Sequence, residues 1–157
     1  MLLNLALFLH IISAIFWIGG MLFLTLVVVP FLQGMPDPKE RSRVYQTVGT
    51  KYRTFGWVAI ITLITTGPFI LYSLYGVAPG SIYSADFHST GLGKAVAAKV
   101  TLVIIIVLTS LVHDFWLGPK ARNSPGFTFW ARVFGRSNLL IALLIVVFAV
   151  LIRSGGF

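Results

Sequence analysis

Four long apolar runs, separated by polar connections, dominate the pattern of the sequence. The runs are Leu2–Leu32, Phe55–Tyr75, Ala95–Leu117 and Phe134–Ile152. Each is close to or above the roughly 20 residues that a helix needs to cross the hydrocarbon core of a bilayer. A membrane β-barrel is a poor alternative, because its strands would alternate polar and apolar residues in runs of about ten. The pattern therefore predicts transmembrane helices over residues 2–32, 54–75, 95–117 and 134–152.

The composition agrees with a membrane protein. With 57% hydrophobic and 10% charged residues and a mean hydropathy of +0.94, the chain is outside the range of soluble globular domains. Four spans use most of the 157 residues. We therefore expect an all-α, integral membrane four-helix bundle that forms a single transmembrane domain over residues 1–157. The two halves show no clear sequence similarity, so no internal repeat is predicted.

The distribution of positive charge predicts the orientation of the chain. Nine of the 12 basic residues lie in the first and third connections: Lys39, Arg41, Arg43, Lys51, Arg53, Lys120, Arg122, Arg132 and Arg136. The positive-inside rule assigns these connections to the cytoplasm, which places both termini on the outer side. The net charge of +8 then reflects topology and contact with the anionic headgroups of a lipid bilayer, and not nucleic-acid binding. The expected location is a prokaryotic cytoplasmic (inner) membrane.

Two ionisable side chains lie inside the predicted spans, where each costs a few kcal/mol on insertion scales. His10 lies roughly 12 Å below the outer end of the first helix, and Lys99 lies about 6 Å below that of the parallel third helix. The returning second helix brings a threonine and a glycine to the depth of His10. The sequence therefore predicts a cofactor site in the outer half of the bundle, with His10 and Lys99 as candidate metal ligands. Its residues are His10, Ser13, Trp17, Thr66, Gly67 and Lys99.

Simpler interpretations of these residues stay open at this point. The His10 ring can bond across helices to Thr65 or Thr66 with no further role, since such bonds are common in membrane bundles. Lys99 can extend its amine to the headgroups. His113 lies too deep, by roughly 14 Å of helix rise, to ligate one iron together with His10. It is expected to complement the dipole at the inner end of its helix, and His88 is expected to be a solvated loop residue.

Short motifs along the chain carry a resemblance to a known family. The stretch His10-Ile11-Ile12-Ser13-Ala14-Ile15-Phe16-Trp17-Ile18-Gly19-Gly20 resembles the opening helix of CopD (copper-resistance protein D) proteins. Thr66-Gly67 and the segment from His113 to Pro119 are also similar to members of that family. The same scaffold is similar to HemJ, the membrane protoporphyrinogen oxidase, whose first-helix histidine matches His10 and whose third-helix lysine matches Lys99.

The resemblance implies several functions. The first is a b-type haem protein for membrane electron transfer, in which His10 is an axial ligand and Lys99 either ligates the iron or pairs with a propionate. The second is copper transport or resistance, although the chain has no cysteine and three methionines. The third is a HemJ-like porphyrinogen oxidation. A subunit without chemistry is the fourth. Expected partners are a redox or copper-carrying protein of unknown identity and, through the lateral site, a second copy in a homodimer.

Overall fold

The chain folds into helices throughout the described part of the structure. The structure, a computed structural model, describes residues 1–121 and 125–157, so that Arg122 lies outside the described residues. Its helices are α1 (Leu2–Gln33), α2 (Pro38–Tyr75), the short α3 (Ala85–Ser89), α4 (Gly91–Lys120) and α5 (Pro125–Arg153). These described residues contain no strand. Helices α1, α2, α4 and α5 are long and apolar enough to cross a membrane, which confirms an all-α, multi-pass membrane protein.

Helix boundaries follow the capping residues and not the edges of the apolar runs. Helix α2 begins at Pro38, ahead of its membrane-spanning part near residue 54, as the Asp37-Pro38 pair in the sequence predicts. The Asp37 side chain accepts a hydrogen bond from the Lys39 N–H at 2.8 Å. An aspartate cap followed by proline in the first turn is a strong start signal. The same helix ends at Gly76, whose φ of 66° is the left-handed conformation that glycine adopts without strain. Polar residues beyond the hydrocarbon edge therefore extend the helix.

The chain divides into two compact units, residues 1–77 and 78–157, and each contains one helical hairpin. The first hairpin pairs α1 with α2 through large side chains. Trp17 is buried between the helices, and the Tyr52 ring lies so close to Gly20 that a Cβ atom there would overlap it. The Tyr52 hydroxyl donates a hydrogen bond to the Trp17 carbonyl. One aromatic side chain thus fixes the separation of the two helices.

The second hairpin pairs α4 with α5 through small and polar side chains. Ala95 and Ala142 are completely buried, and Ile106 is nearly so. Asn138 is also buried, and its amide nitrogen donates to the Ser110 hydroxyl at 3.1 Å. Small residues allow helices to approach closely in a membrane, where van der Waals packing and interhelical hydrogen bonds replace the hydrophobic effect.

Each of the helices α1 and α4 contains a wide π-helical turn just before a proline. In α1 the turn covers Leu24–Val28 and precedes Pro30, and in α4 it covers Val112–Leu117 and precedes Pro119. The residue before each proline, Val29 or Gly118, donates its N–H five residues back instead of four. A proline ring clashes with the carbonyl four residues earlier, and the wider turn relieves that clash.

These turns show that α1 and α4 repeat one local pattern, which the sequence analysis did not predict. Pro30 and Pro119 are 89 residues apart, and so are His10 and Lys99. The same shift aligns the buried Ala6 with the buried Ala95. Few identical residues accompany these matches, because apolar side chains that face lipid can replace one another freely. The repeat is therefore visible in the turns of α1 and α4 and in the buried pair Ala6 and Ala95, and not in overall sequence identity.

Candidate functional site

His10 is held in one orientation by a relay of two hydrogen bonds. Its Nδ1 lies 2.8 Å from the Thr66 Oγ1 atom, and that hydroxyl donates to the Thr62 carbonyl at 2.6 Å. A hydroxyl has a single proton to donate. With the Thr66 proton directed to the Thr62 carbonyl, Thr66 accepts from His10 and Nδ1 carries the ring proton. The relay therefore makes Nδ1 the anchored nitrogen of the ring.

Gly67 of α2 lies next to the His10 ring. A Cβ atom at Gly67 would lie 3.5 Å from the His10 Cε1 atom, which is ordinary van der Waals contact. The imidazole is half-buried in the first hairpin. The structure thus brings His10, Thr66 and Gly67 together, and the Thr66 hydroxyl is the interhelical partner of the ring.

Trp17 and Ser13 occupy the same face of α1 as His10 but have different surroundings. Trp17 is 8% exposed and packs against α2, where a Cβ atom at Gly56 would lie 3.8 Å from its Cδ1 atom. Its packing closes the first hairpin below His10. Ser13 is half-buried and lies one helical turn from His10.

Lys99 belongs to the second unit. It lies on α4 and is half-buried. Within the part of that unit which the structure describes, its amine has no hydrogen-bond or ion-pair partner. The repeat places Lys99 at the position in its hairpin that His10 occupies in the first. Helices α1 and α4 therefore carry an ionisable residue at equivalent positions, one an imidazole and the other an amine.

His113 and Asp114 form a second polar group, in α4. The sequence predicts only a histidine at a helix end here. The His113 Nδ1–H donates to the Asp114 carboxylate at 2.8 Å. On the other side of the ring, a Cβ atom at Gly135 would lie 3.7 Å from Nε2. Asn138, one turn further along α5, is an amide inside an apolar run, and that polarity was the available signal for this cluster. His88 is exposed on α3, as expected for a solvated residue.

Clusters of metal-ligating side chains are a separate question. Among residues 1–121 and 125–157, no group of three or more His, Cys, Asp or Glu side chains is arranged to hold a metal ion. His10 is therefore a single anchored imidazole within its hairpin.

Comparison with known proteins shows the family of the chain. A family model described as a domain of unknown function (DUF4149) matches residues 12–124. The chain belongs to the DUF4149 family. It is also similar to a protein of Aquifex aeolicus (strain VF5), printed as an uncharacterized protein, with 36% identity over 153 residues. That similarity covers 97% of this chain and 96% of the relative, and no solved structure matches the chain.

The match defines which candidate residues fall inside the family domain. Thr66, Gly67 and Lys99 lie within residues 12–124, and His10 lies just before them. The similarity to the Aquifex protein extends over nearly the whole length of both chains, so both hairpins have counterparts in this relative.

Proposed function

We propose that this chain is a multi-pass haem protein of the prokaryotic cytoplasmic membrane, in which Nε2 of His10 ligates the iron for membrane redox chemistry. The observation that carries the proposal is the bond from His10 Nδ1 to Thr66. Metal-ligating histidines almost always donate their other ring N–H to a fixed acceptor, which sets both tautomer and ring orientation. The Thr66 relay is an anchor of that kind inside a membrane span.

A haem suits a single anchored imidazole better than a bare metal ion does. The porphyrin supplies four nitrogen ligands, so the protein needs to add only one or two axial ligands. Its macrocycle is apolar and matches a site between apolar helices. When bound, the haem supplies one-electron chemistry, and the axial ligand and its surroundings tune the potential. His10 would ligate the iron, Thr66 would orient the His10 ring, and Gly67 would allow close approach to α2.

Lys99 of the second unit is, like His10, an ionisable side chain inside a span, and its amine is suited to pair with an anionic group. The distribution of basic residues supports an outer location for both side chains, since their helices start on the side opposite the basic connections.

An absorption spectrum tests the proposal directly. The full-length protein, purified from cells with ample haem, should show a Soret band with reduced α and β bands, and His10→Ala should abolish them. His88→Ala, which removes an exposed imidazole, is the matched control and should leave the spectrum unchanged. Wild-type protein without a Soret band, or with copper as its stoichiometric metal, would contradict the proposal.

The anchor can be tested without removing the ligand. Thr66→Val keeps the shape of the side chain but removes the acceptor. We expect haem affinity to fall by 10-fold or more, as it typically does when the hydrogen-bond partner of a metal-ligating histidine is lost. Gly67→Ala should weaken binding by placing a methyl group against the ring edge. Gly49→Ala, on the same helix with nothing within 4 Å of the new methyl, is its control. Equal affinities in all these variants would show that the His10–Thr66 bond only joins two helices.

A further inference from the structure

The π-turn of α4 carries a polar pair that the first hairpin lacks. His113 and Asp114 form a hydrogen-bonded pair with side chains 29% and 21% exposed. At the equivalent positions of α1, the shift of 89 residues places Leu24 and Thr25. The first hairpin therefore builds the same turn before the same proline without a histidine or a carboxylate. Because ionisable groups in membrane spans are costly, the pair calls for a reason other than the turn itself.

The hydrogen bond between the two side chains defines what the histidine can bind. Asp114 accepts from Nδ1, so the neutral His113 ring presents the lone pair of Nε2. Nε2 is then a hydrogen-bond acceptor. Gly135 on α5 has no side chain to cover this nitrogen. The pair is suited to a ligand that donates a hydrogen bond, and more suited to a hydroxyl than to a carbonyl.

The surroundings of the pair favour a flat, largely apolar ligand. Towards the end of α4, the Trp116 and Phe127 rings pack edge to face with their centroids 6.0 Å apart. In the opposite direction lie the hydroxyls that bond to the buried Asn138 amide. The charged side chains next to Gly135 on α5, Arg132 and Arg136, are positive and disfavour a metal cation.

We propose that His113 and Asp114 form a binding site for a lipid-soluble quinol, whose phenolic hydroxyl donates a hydrogen bond to Nε2 of His113. A phenol is a stronger hydrogen-bond donor than an aliphatic alcohol, and its aromatic ring matches the apolar character of the neighbouring Trp116 and Phe127 rings. The hydroquinone hydroxyl donates to the lone pair of Nε2. A quinone carbonyl has no proton to donate, so it can bond to the ring only when the imidazole carries a second proton, on Nε2. The site therefore distinguishes the reduced from the oxidised form. The proposal does not use His10 or a haem.

Equilibrium binding of a short-tailed ubiquinol analogue to the full-length protein in lipid nanodiscs, under anaerobic conditions, tests the site. We expect His113→Leu to lower the affinity about tenfold, the size of one hydrogen bond between neutral groups. Gly135→Ala should give a similar loss, since its methyl would cover Nε2 while the helix pair stays intact. Gly49→Ala is the matched control on the return helix of the first hairpin. Unchanged affinity in both test variants would overturn the proposal.

The preference for the reduced form supplies a second, independent readout. Wild-type protein should bind the quinol several-fold more tightly than the matching quinone at neutral pH. Asp114→Asn offers an amide donor to Nδ1, which moves the ring proton to Nε2 and should shift the preference towards the quinone. Equal affinity of the wild type for both forms, or the same preference in Asp114→Asn, would contradict the acceptor role. Because haem content is not measured, failure here is separate from failure of the proposed haem site.

Discussion

The two hairpins share one design but hold their helices together in different ways. In the first, Tyr52 lies over Gly20, with its hydroxyl on the Trp17 carbonyl. In the second, the position equivalent to Gly20 is Thr109, which donates to Asn138 at 2.6 Å. One hairpin is joined by a large ring over a glycine, and the other by a small polar network among alanines. The proline turns are common to both hairpins, and a few side chains at matched positions determine how the helices of each hairpin are joined.

The same comparison distinguishes residues that pack the helices together from residues that can bind a ligand. Ala6 and Ala95 are buried in both hairpins and serve close packing. His10 and Lys99 occupy equivalent positions but differ in chemistry, and His113 stands where the first hairpin has Leu24. Positions that differ between two copies of one scaffold are not dictated by that scaffold. This is why His10, Lys99 and His113 are the residues to test for function.

The largest expected effect on stability is overpacking at Gly20. Gly20→Val places a branched side chain where the Tyr52 ring lies, so the helices of the first hairpin must separate. We expect a loss of about 2–3 kcal/mol in the free energy of unfolding, as for other overpacked cores. Unfolding in bicelles with increasing SDS measures it. Gly19→Ala, with nothing within 4 Å of the new methyl, should change the free energy by well under half of that amount.

The next effect is the loss of the amide network in the second hairpin. Asn138→Leu removes the hydrogen bonds to Thr109 and Ser110 while keeping the side-chain volume similar. Interhelical hydrogen bonds in membranes average about 0.6 kcal/mol each, so the two bonds predict a loss of about 1 kcal/mol. The same SDS unfolding assay checks it. A loss as large as that of Gly20→Val would show that the network, and not packing, holds this hairpin.

A smaller effect is expected from removing the Tyr52 hydroxyl in the first hairpin. Tyr52→Phe keeps the ring over Gly20 and removes the hydrogen bond to the Trp17 carbonyl. We expect about 0.6 kcal/mol, less than for Asn138→Leu. If Tyr52→Phe lowers the free energy of unfolding more than Asn138→Leu does, the first hairpin depends on the Tyr52 hydroxyl more than the second depends on its amide network.

Replacing the prolines that follow the π-turns should have the least effect on stability. It should change the backbone geometry of the turns. Pro30→Ala and Pro119→Ala each restore a backbone N–H and remove the reason for a π-turn. Only Pro119→Ala changes the turn that holds the His113–Asp114 bond. In NMR spectra with labelled histidines, the His113 ring nitrogens should shift in Pro119→Ala and stay unchanged in Pro30→Ala. Equal shifts in both variants would mean that the turn does not position the pair.

Part of the candidate site followed from the sequence by helix arithmetic. The rise per residue brought His10, Thr66 and Gly67 to one depth, and the structure joins them in the first hairpin. Helical spacing also put Trp17 on the His10 face, but spacing does not show that its ring packs against α2 beneath His10. The sequence pattern predicts a regular helix end at His113 and Asp114, whereas the structure has a π-turn there. A proline four to six residues later was the signal that this assumption overlooked.

The hydrophobic pattern by itself determined the class of this protein: four apolar runs of membrane-spanning length form helices because backbone groups in lipid have no other way to be satisfied. Caps and prolines, also local in sequence, determined where those helices end and widen. Only the tertiary structure decided which nitrogen of His10 is anchored and that the two halves repeat one design. The physical reason is distance along the chain, since His10 and Thr66 are 56 residues apart and meet only through the packing of α1 on α2.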